Sequence, residues 1–333
     1  MDYNSIRKEL ETKQYRPVYF LQGEEPYFID KLTKYIENNI LDENEKDFNQ
    51  TIFYGKDSNP ELILETAKRY PMMSEKQVVI VREAQHLKNK LGEFKGYLEN
   101  PQLSTILVFN YKYGKLDGRK EISKLFAQHC IFTSDKLRDY LVPDWIMKYV
   151  RSKGNGITQR SAVLLSEYLG NDLQKIVGEI DKLRITIGPE ANITSEDIQR
   201  NIGISKEYNV FELQNALLTR NVLKANQIVK YFASDPKTHP DIITITVLFT
   251  LFKRLMKFHF AVNKSNDKAL AKEIGVHPYF LKEYKSAGQF YNPKKLADII
   301  HLLRIADMQT KGVGSVNRDP GAIVKQLIYQ ILH

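Results

Sequence analysis

The sequence contains little cysteine and no long apolar run. Among its 333 residues the one cysteine, Cys130, excludes an internal disulfide framework and any metal site built from clustered cysteines. The most apolar segment, residues 242–252, is too short to cross a bilayer and is followed by two cations. Residues 1–10 lack the apolar core of a secretory signal. We therefore expect a folded protein of the reducing cytoplasm, with no membrane partner.

The sequence also lacks the residues with which a nucleotide hydrolase binds phosphate. A phosphate loop reads G-x-x-x-x-G-K-[ST], because backbone N–H groups and a lysine must surround the phosphates. After the first predicted strand the chain reads QGEEPY at 22–27, with two carboxylates and no lysine. The strand that would bring a magnesium-binding aspartate ends at Arg82. These departures argue against ATP hydrolysis, and we expect no cofactor.

No group of residues has the spacing of a catalytic or metal site. The 7 histidines show neither H-x₃-H nor H-E-x-x-H spacing. Glu24 and Glu25 could act as an acid–base pair, but carboxylates at the start of a predicted helix are explained more simply by the helix dipole. We expect no catalytic residue, no metal site and no chemistry from this chain alone.

Positive charge is present, but it is confined to one part of the chain. The net charge is +9, and acidic and basic residues balance both in residues 1–140 and in residues 141–210. The whole excess therefore lies in residues 211–333. Such an excess indicates either a solvated helical surface or a nearby polyanion, of which nucleic acid is the first candidate.

Apolar patterns divide the chain into an α/β part and a helical part. Unalternated strand-forming runs, with predicted helices at 26–39 and 60–69 between them, occur at residues 17–21, 51–54, 78–81, 105–109 and 131–133. Such runs are typical of parallel strands buried on both faces. Strand signals disappear after Pro143. We predict a doubly wound parallel sheet domain over 1–140, followed by all-α regions, a small one over 141–208 and a larger one over 209–333.

Several segments carry a resemblance to a known family. The two most specific read LGNDLQKIVGEIDKL at 169–183 and NVFEL at 209–213. Weaker ones follow in the family's order, namely PVYFLQGEEPYF at 17–28, YPMMSEKQVVIVR at 70–82, ITSEDI at 193–198, and AD with KG at 306–312. With these segments the chain resembles the delta subunits of the bacterial DNA polymerase III clamp loader over most of its length.

The resemblance implies a fold, a role and a set of partners. Delta subunits are AAA+-like, with an ATPase-like α/β module, a helical lid and a C-terminal helical collar, and the phosphate loop is degenerate here. The family's delta does not hydrolyse ATP; it binds and opens the sliding clamp, so that the ring is loaded on primed DNA during replication. The implied partners are the clamp (the beta subunit), the tau/gamma motor subunits, delta prime and primed DNA. The protein subunits among them belong, with this chain, to the DNA-directed DNA polymerase holoenzyme at the nucleoid.

The resemblance also implies where the clamp binds. Delta subunits carry a Pro-Leu-Phe-Ser-like loop whose two apolar side chains enter a pocket on the clamp. The matching residues here are Pro71, Met72, Met73 and Ser74, so that methionine replaces both usual anchors. An unbranched thioether adapts well to a shaped pocket. The alternative is that Met72 and Met73 fold back into the core of their own domain.

The basic excess leads us to expect DNA near the collar. Lys253, Arg254 and Lys257 follow an apolar helical segment, and their spacing places Lys253 and Lys257 on one face. In a binder that ignores base sequence, such cations follow phosphates while an aromatic ring stacks on an exposed base. Tyr279 and Phe280, directly after a proline, are the aromatic candidates. Phe258 and Phe260, in contrast, are expected in the core.

Two functions from different classes stay open. The first is a clamp-opening subunit without ATP hydrolysis, and the second is an AAA+-type ATPase or nucleotide-dependent DNA-processing enzyme with an unrecognised site. A measurement of ATP turnover separates them. The loader's other non-motor subunit fits less well, because the family gives that subunit zinc-binding cysteines and a Ser-Arg-Cys motif.

Overall fold

The computed structural model describes residues 1–202, 208–314 and 321–333. The chain forms two compact units. The first consists of residues 1–137 with 172–174, and the second of residues 138–171 with 175–333.

The first unit is built on a five-stranded parallel sheet. Its strands are β1 (Val18–Gly23), β2 (Gln50–Tyr54), β3 (Gln77–Arg82), β4 (Thr105–Lys112) and β5 (Cys130–Ser134). Their order across the sheet is β2-β3-β4-β1-β5, and every neighbouring pair is parallel. The five strands predicted from the sequence are all present, and the α/β class of this unit is confirmed.

Helices connect these strands and cover both faces of the sheet. They are α1 (Tyr3–Glu11), α2 (Pro26–Asn39), α3 (Glu43–Asn49), α4 (Pro60–Lys68), α5 (Lys95–Glu99) and α6 (Glu121–Ala127), with short 3₁₀ turns at Ala84–Leu87 and Leu91–Phe94. Both α2 and α4 begin with a proline, which suits a first helical turn because no N–H is needed there. The helix predicted over 26–39 has those bounds.

Alternate residues of the strands enter two different cores. Val18 and Phe20 of β1 face one core, while Tyr19 and Leu21 face the other. Every residue of β1 is buried, and β3 and β4 are buried except at their last residues, which are partly exposed. Burial of apolar surface contributes roughly 25 cal/mol per Å², so strands covered on both sides supply much of this unit's stability.

The second unit is mainly helical. From residue 138 onward the helices are α7 (Val142–Ser152), α8 (Gln159–Leu169), α9 (Leu173–Ile187), α10 (Ser195–Ile202), α11 (Val210–Leu218), α12 (Val222–Ser234), α13 (Asp241–Phe260), α14 (Asp267–Ile274), α15 (Leu281–Phe290), α16 (Pro293–Thr310) and α17 (Ala322–Leu332), with a 3₁₀ turn at Pro278–Phe280. The helices from α11 to α17 share one apolar core, in which α13 packs along α16. Within the described ranges, no helix has the length and apolar content to cross a membrane.

One small sheet in this part was not predicted. The two-residue strands β6 (Gly156–Ile157) and β7 (Asn192–Ile193) pair in parallel. Strands of this length show neither alternation nor an apolar run, so they leave no pattern in the sequence. The expectation of no strand beyond Pro143 was therefore wrong.

Cys130 begins β5 and is buried in the core of the first unit. Burial raises the pKa of its thiol to about 11. At pH 8 the thiol therefore stays protonated and unreactive. We expect a thiol-specific dye at pH 8 to label the folded protein slowly and the denatured protein rapidly. Rapid labelling of the folded protein would contradict this packing.

Candidate functional site

At the carboxyl end of β1, where a phosphate loop would lie, the chain's own side chains occupy the helix N-terminus. Glu25 is buried, and its carboxylate accepts a hydrogen bond from the Tyr27 N–H at 3.0 Å, which caps α2. Pro26, at the first helical position, has no N–H to offer. Burial raises the pKa of the Glu25 carboxyl above its ordinary value. A helix end that would face phosphate in a nucleotide hydrolase is here satisfied by a carboxylate.

The turn before Glu25 lies directly against β5. Gly23 has a φ of +139°, and a Cβ at this position would come within 2.0 Å of the Ser134 carbonyl oxygen. The same oxygen accepts a hydrogen bond from the Glu25 N–H at 3.1 Å. Both the backbone angle and the close approach therefore require glycine at position 23.

Arg82, at the position of a magnesium-binding aspartate in an ATPase, makes a structural ion pair. Its Nη2 donates to Glu37 Oε2 of α2 at 2.7 Å. A guanidinium repels a divalent cation. The ion pair of Arg82 with Glu37 connects β3 to α2. Neither the phosphate position nor the metal position therefore carries a side chain suited to nucleotide hydrolysis.

The segment Pro71, Met72, Met73 and Ser74, hereafter the methionine loop, lies at the other end of the sheet. It connects α4 to the amino end of β3, whereas the Gly23 turn follows the carboxyl end of β1. The side chain of Met72 is 62% exposed, and that of Met73 is fully exposed. The alternative that these methionines fold back into the core is therefore wrong.

A buried amide holds the methionine loop in the middle. Asn49, the last residue of α3, is 3% exposed and forms two hydrogen bonds with the backbone of Met72. Its Nδ2 donates to the Met72 carbonyl at 2.9 Å, and its Oδ1 accepts from the Met72 N–H at 2.7 Å. The next residue, Met73, has a φ of +53°, which residues with a Cβ seldom adopt. The loop is thus fixed in one unusual backbone shape.

The two ends of the loop are also hydrogen-bonded. The buried Gln77 side chain donates to the Arg69 carbonyl at 2.5 Å and to Thr105 Oγ1 at 2.6 Å. Ser74 Oγ donates to the Lys76 carbonyl at 3.1 Å and accepts from the Lys76 N–H at 3.4 Å. With the Asn49 bonds, these contacts hold the backbone while leaving both methionine side chains in solvent.

The sequence contains no pattern that singles out Asn49. Its partner Met72 lies 23 residues away, and the two are brought together only by the packing of α3 beside the sheet. The neighbouring Phe48 is also exposed, although no apolar pattern in this segment singled it out. No local pattern could have revealed the pairing, because the spacing of apolar residues reports helices and strands but not the partner of a single amide.

The predicted basic residues lie on α13 and are not equivalent. Lys253 and Lys257 are exposed one turn apart, as their spacing predicts. Arg254 is mostly buried, and its Nη2 lies 4.0 Å from Asp139 Oδ2. The two lysines are therefore the cations of this group that face solvent.

The predicted aromatic residues also differ from one another. Tyr279 is half-exposed, whereas Phe280 packs partly against the core, and their rings form an edge-on pair with centroids 5.1 Å apart. Phe258 packs against the same core, as expected. Phe260 is 70% exposed, so its expected core position was wrong. It ends α13 and lies off the buried stripe of that helix, which runs through Leu251 and Leu255.

Comparison with known sequences gives the family. Residues 19–134 match the family described as DNA polymerase III, delta subunit, and residues 207–331 match the one described as DNA polymerase III delta subunit, C-terminal domain. DNA polymerase III subunit delta of Bacillus subtilis (strain 168) is 25% identical over 339 residues, which covers 98% of this chain and 96% of that protein. The probable DNA polymerase III subunit delta of Aquifex aeolicus (strain VF5) is 25% identical over 314 residues, covering 88% and 86%.

Comparison with solved structures gives the fold. The Bacillus subtilis DNA clamp loader delta protein matches with a TM-score of 0.58 and 24% identity, and the match covers 99% of both chains. It confirms the fold that the family resemblance implied. The first family match lies within the first unit, and the second lies within the second unit. The chain belongs to the family of delta subunits of the bacterial DNA polymerase III clamp loader.

Proposed function

We propose that this chain binds the sliding clamp, the beta subunit, through its methionine loop and opens one interface of that ring for loading onto primed DNA. The observation that carries the proposal is the exposure of the Met72 and Met73 side chains on a loop whose backbone is hydrogen-bonded to the buried side chain of Asn49. Two apolar side chains held in water contribute little to the unit's own core. Each would gain ~2 kcal/mol on burial in a partner's pocket, which together supplies much of a binding hot spot.

A fixed loop suits a subunit that opens a ring. A ligand shifts the equilibrium between two states only by the difference in its affinity for them. A loop with one backbone shape can fit the open interface better than the closed one, whereas a pliable loop would adapt to both. The hydrogen bonds to Met72 and Ser74 therefore support opening as well as binding.

ATP hydrolysis is the task of the tau/gamma motor subunits in this proposal. Glu25 occupies the helix end at which phosphate would bind, and Arg82 stands where a metal ligand would be needed. The alternative of an AAA+-type ATPase or nucleotide-dependent DNA-processing enzyme draws no support from these two positions.

The proposal assigns three functional domains. Residues 1–140 form the AAA+-like domain with the methionine loop, residues 141–208 the lid, and residues 209–333 the collar that joins the motor subunits and delta prime. The shared core of α11 to α17 supports a separate collar. On α13 the side chains of Ile242, Ile243 and Phe249 stay between 42% and 56% exposed, which leaves an apolar face for a neighbouring subunit.

We further propose that the collar lies close to DNA in the assembled loader without reading its sequence. The whole positive excess of the chain falls after residue 210. Lys253 and Lys257 present two charges on one exposed face, and Tyr279 offers a half-exposed ring. Lysine contacts to phosphate give affinity and position but no base specificity, so preference should be for the shape of a primed junction.

Replacing both methionines, Met72→Ala with Met73→Ala, should weaken clamp binding about tenfold or more, because both apolar anchors are lost. Calorimetric titration with the clamp measures the affinity, and circular dichroism checks the fold. Tyr113→Ala is the matched control, since Tyr113 is also exposed but follows the carboxyl end of β4, away from the loop. Unchanged affinity in the double variant would overturn the assignment.

A chain ending at Ser205, within a segment outside the described residues, should keep clamp binding and lose the motor subunits. The apolar face of α13 can be tested in the full-length chain with Ile243→Glu and Phe249→Glu, because two charges buried in the interface would disrupt an apolar contact with a neighbouring subunit. Co-purification with the motor subunits measures assembly. If the shortened chain still retains them, the collar is not the site of assembly.

Reversing both charges, Lys253→Glu with Lys257→Glu, should flatten the salt dependence of binding between the assembled loader and primed DNA. Each lost phosphate contact lowers the log–log slope by about 0.9 on duplex DNA. Lys120→Glu with Lys124→Glu is the matched control, an exposed pair at the same spacing within the charge-balanced residues 1–140. An identical slope in the collar variant would place these lysines away from DNA.

A further inference from the structure

The Asn49 side chain acts on the methionine loop as a neighbouring strand would. One amide pairs with both the N–H and the carbonyl of Met72, at 2.7 and 2.9 Å, across 23 residues of sequence. Asn49 directly precedes β2, whose first residue, Gln50, pairs with Val78 of β3. The amide thus continues the contact between these two segments to Met72, where the chain has not yet entered β3.

We propose that Asn49 is a positioning residue for clamp binding, which presents Met72 and Met73 in the backbone shape that enters the clamp. The inference rests on the proposed function of the methionine loop. Asn49 need not touch the clamp to act, because its two hydrogen bonds run to the backbone of the residue that does.

The loop needs such a support because its shape is unfavourable by itself. Met73 has a φ of +53°, where the Cβ crowds the backbone, and an unsupported chain would relax toward negative φ. The fully exposed Met73 side chain gives no packing that could hold this angle. The fixed N–H and carbonyl of Met72, one residue earlier, supply the constraint instead.

A purely stabilising role would predict different behaviour, and the chain offers a matched control. Asn110 in β4 is 1% exposed, and its Oδ1 accepts a hydrogen bond from Thr33 Oγ1 at 2.8 Å. It is a buried, hydrogen-bonded asparagine of the same unit that bonds α2 and not the methionine loop. Asn110→Ala should lower the stability of the unit, as Asn49→Ala should, without changing the presentation of the methionines.

The first test needs no clamp. In the full-length protein the Met72 N–H should exchange slowly with solvent, because it donates to a buried acceptor. Asn49→Ala should speed this exchange by about tenfold or more as the donor turns to water. Asn110→Ala should leave it unchanged. Equal protection of the Met72 N–H in wild type and Asn49→Ala would overturn the support that the inference requires.

The second test is a double-mutant cycle on clamp affinity, measured by calorimetry. Asn49→Ala should weaken binding by about three- to tenfold, because only a fraction of the loops would then hold the competent shape. The same substitution should have no effect in the Met72→Ala, Met73→Ala background, since nothing is left to position. Equal losses in both backgrounds would show that Asn49 acts independently of the methionines and would overturn the proposal.

The cycle also separates the two proposals. If the methionine variant weakens binding and Asn49→Ala does not, the positioning role fails while the proposed function stands. If the methionine variant binds normally, the proposed function fails, and the positioning role fails with it. Should Asn49→Ala not fold, Asn49→Ser replaces it, because a single hydroxyl can still bond one backbone group of Met72 but cannot pair with the N–H and the carbonyl at once. It should show a smaller loss with the same dependence on the methionines.

Discussion

The parallel pairing of the five strands is the constraint from which the arrangement of the first unit follows. With β1 hydrogen-bonded between β4 and β5 and every pair parallel, all carboxyl ends lie at one edge of the sheet and all amino ends at the other. Sheets of this kind ordinarily bind ligands at the carboxyl edge. Here Glu25 closes that edge at β1, and the exposed methionine loop lies at the opposite one.

Side chains at positions that serve nucleotide chemistry in ATPases connect structural elements here. Glu25 caps the N-terminus of α2, and Arg82 of β3 forms an ion pair with Glu37 in the last turn of the same helix. Gly23 allows the intervening turn to lie against the backbone of β5. The turn that would hold a nucleotide is thereby bound to β5 and to α2.

The sequence predicted the sheet well because burial on both faces leaves a local trace. The runs at 78–81 and 105–109 are apolar without alternation, and each lies within a strand that is buried nearly throughout. The family resemblance located the methionine loop but did not decide whether its two methionine side chains are exposed or folded into the core. Their exposure depends on the bonds to Asn49 and Gln77, which join distant parts of the chain and leave no periodic pattern. The short strands β6 and β7 and the exposure of Phe260 were not predicted either. Each depends on contacts between distant parts of the chain, which no local sequence pattern reports.

The left-handed backbone of Met73 restricts which residue types position 73 can hold. A side chain branched at Cβ, as in valine, isoleucine or threonine, is strained at this φ, whereas glycine or asparagine would fit the backbone and offer no apolar surface. Long side chains without a branch at Cβ, such as methionine, leucine or phenylalanine, are less strained than the β-branched ones and keep an apolar surface. The φ angle of residue 73 therefore limits which apolar side chains can stand there, independently of the shape of any partner's pocket.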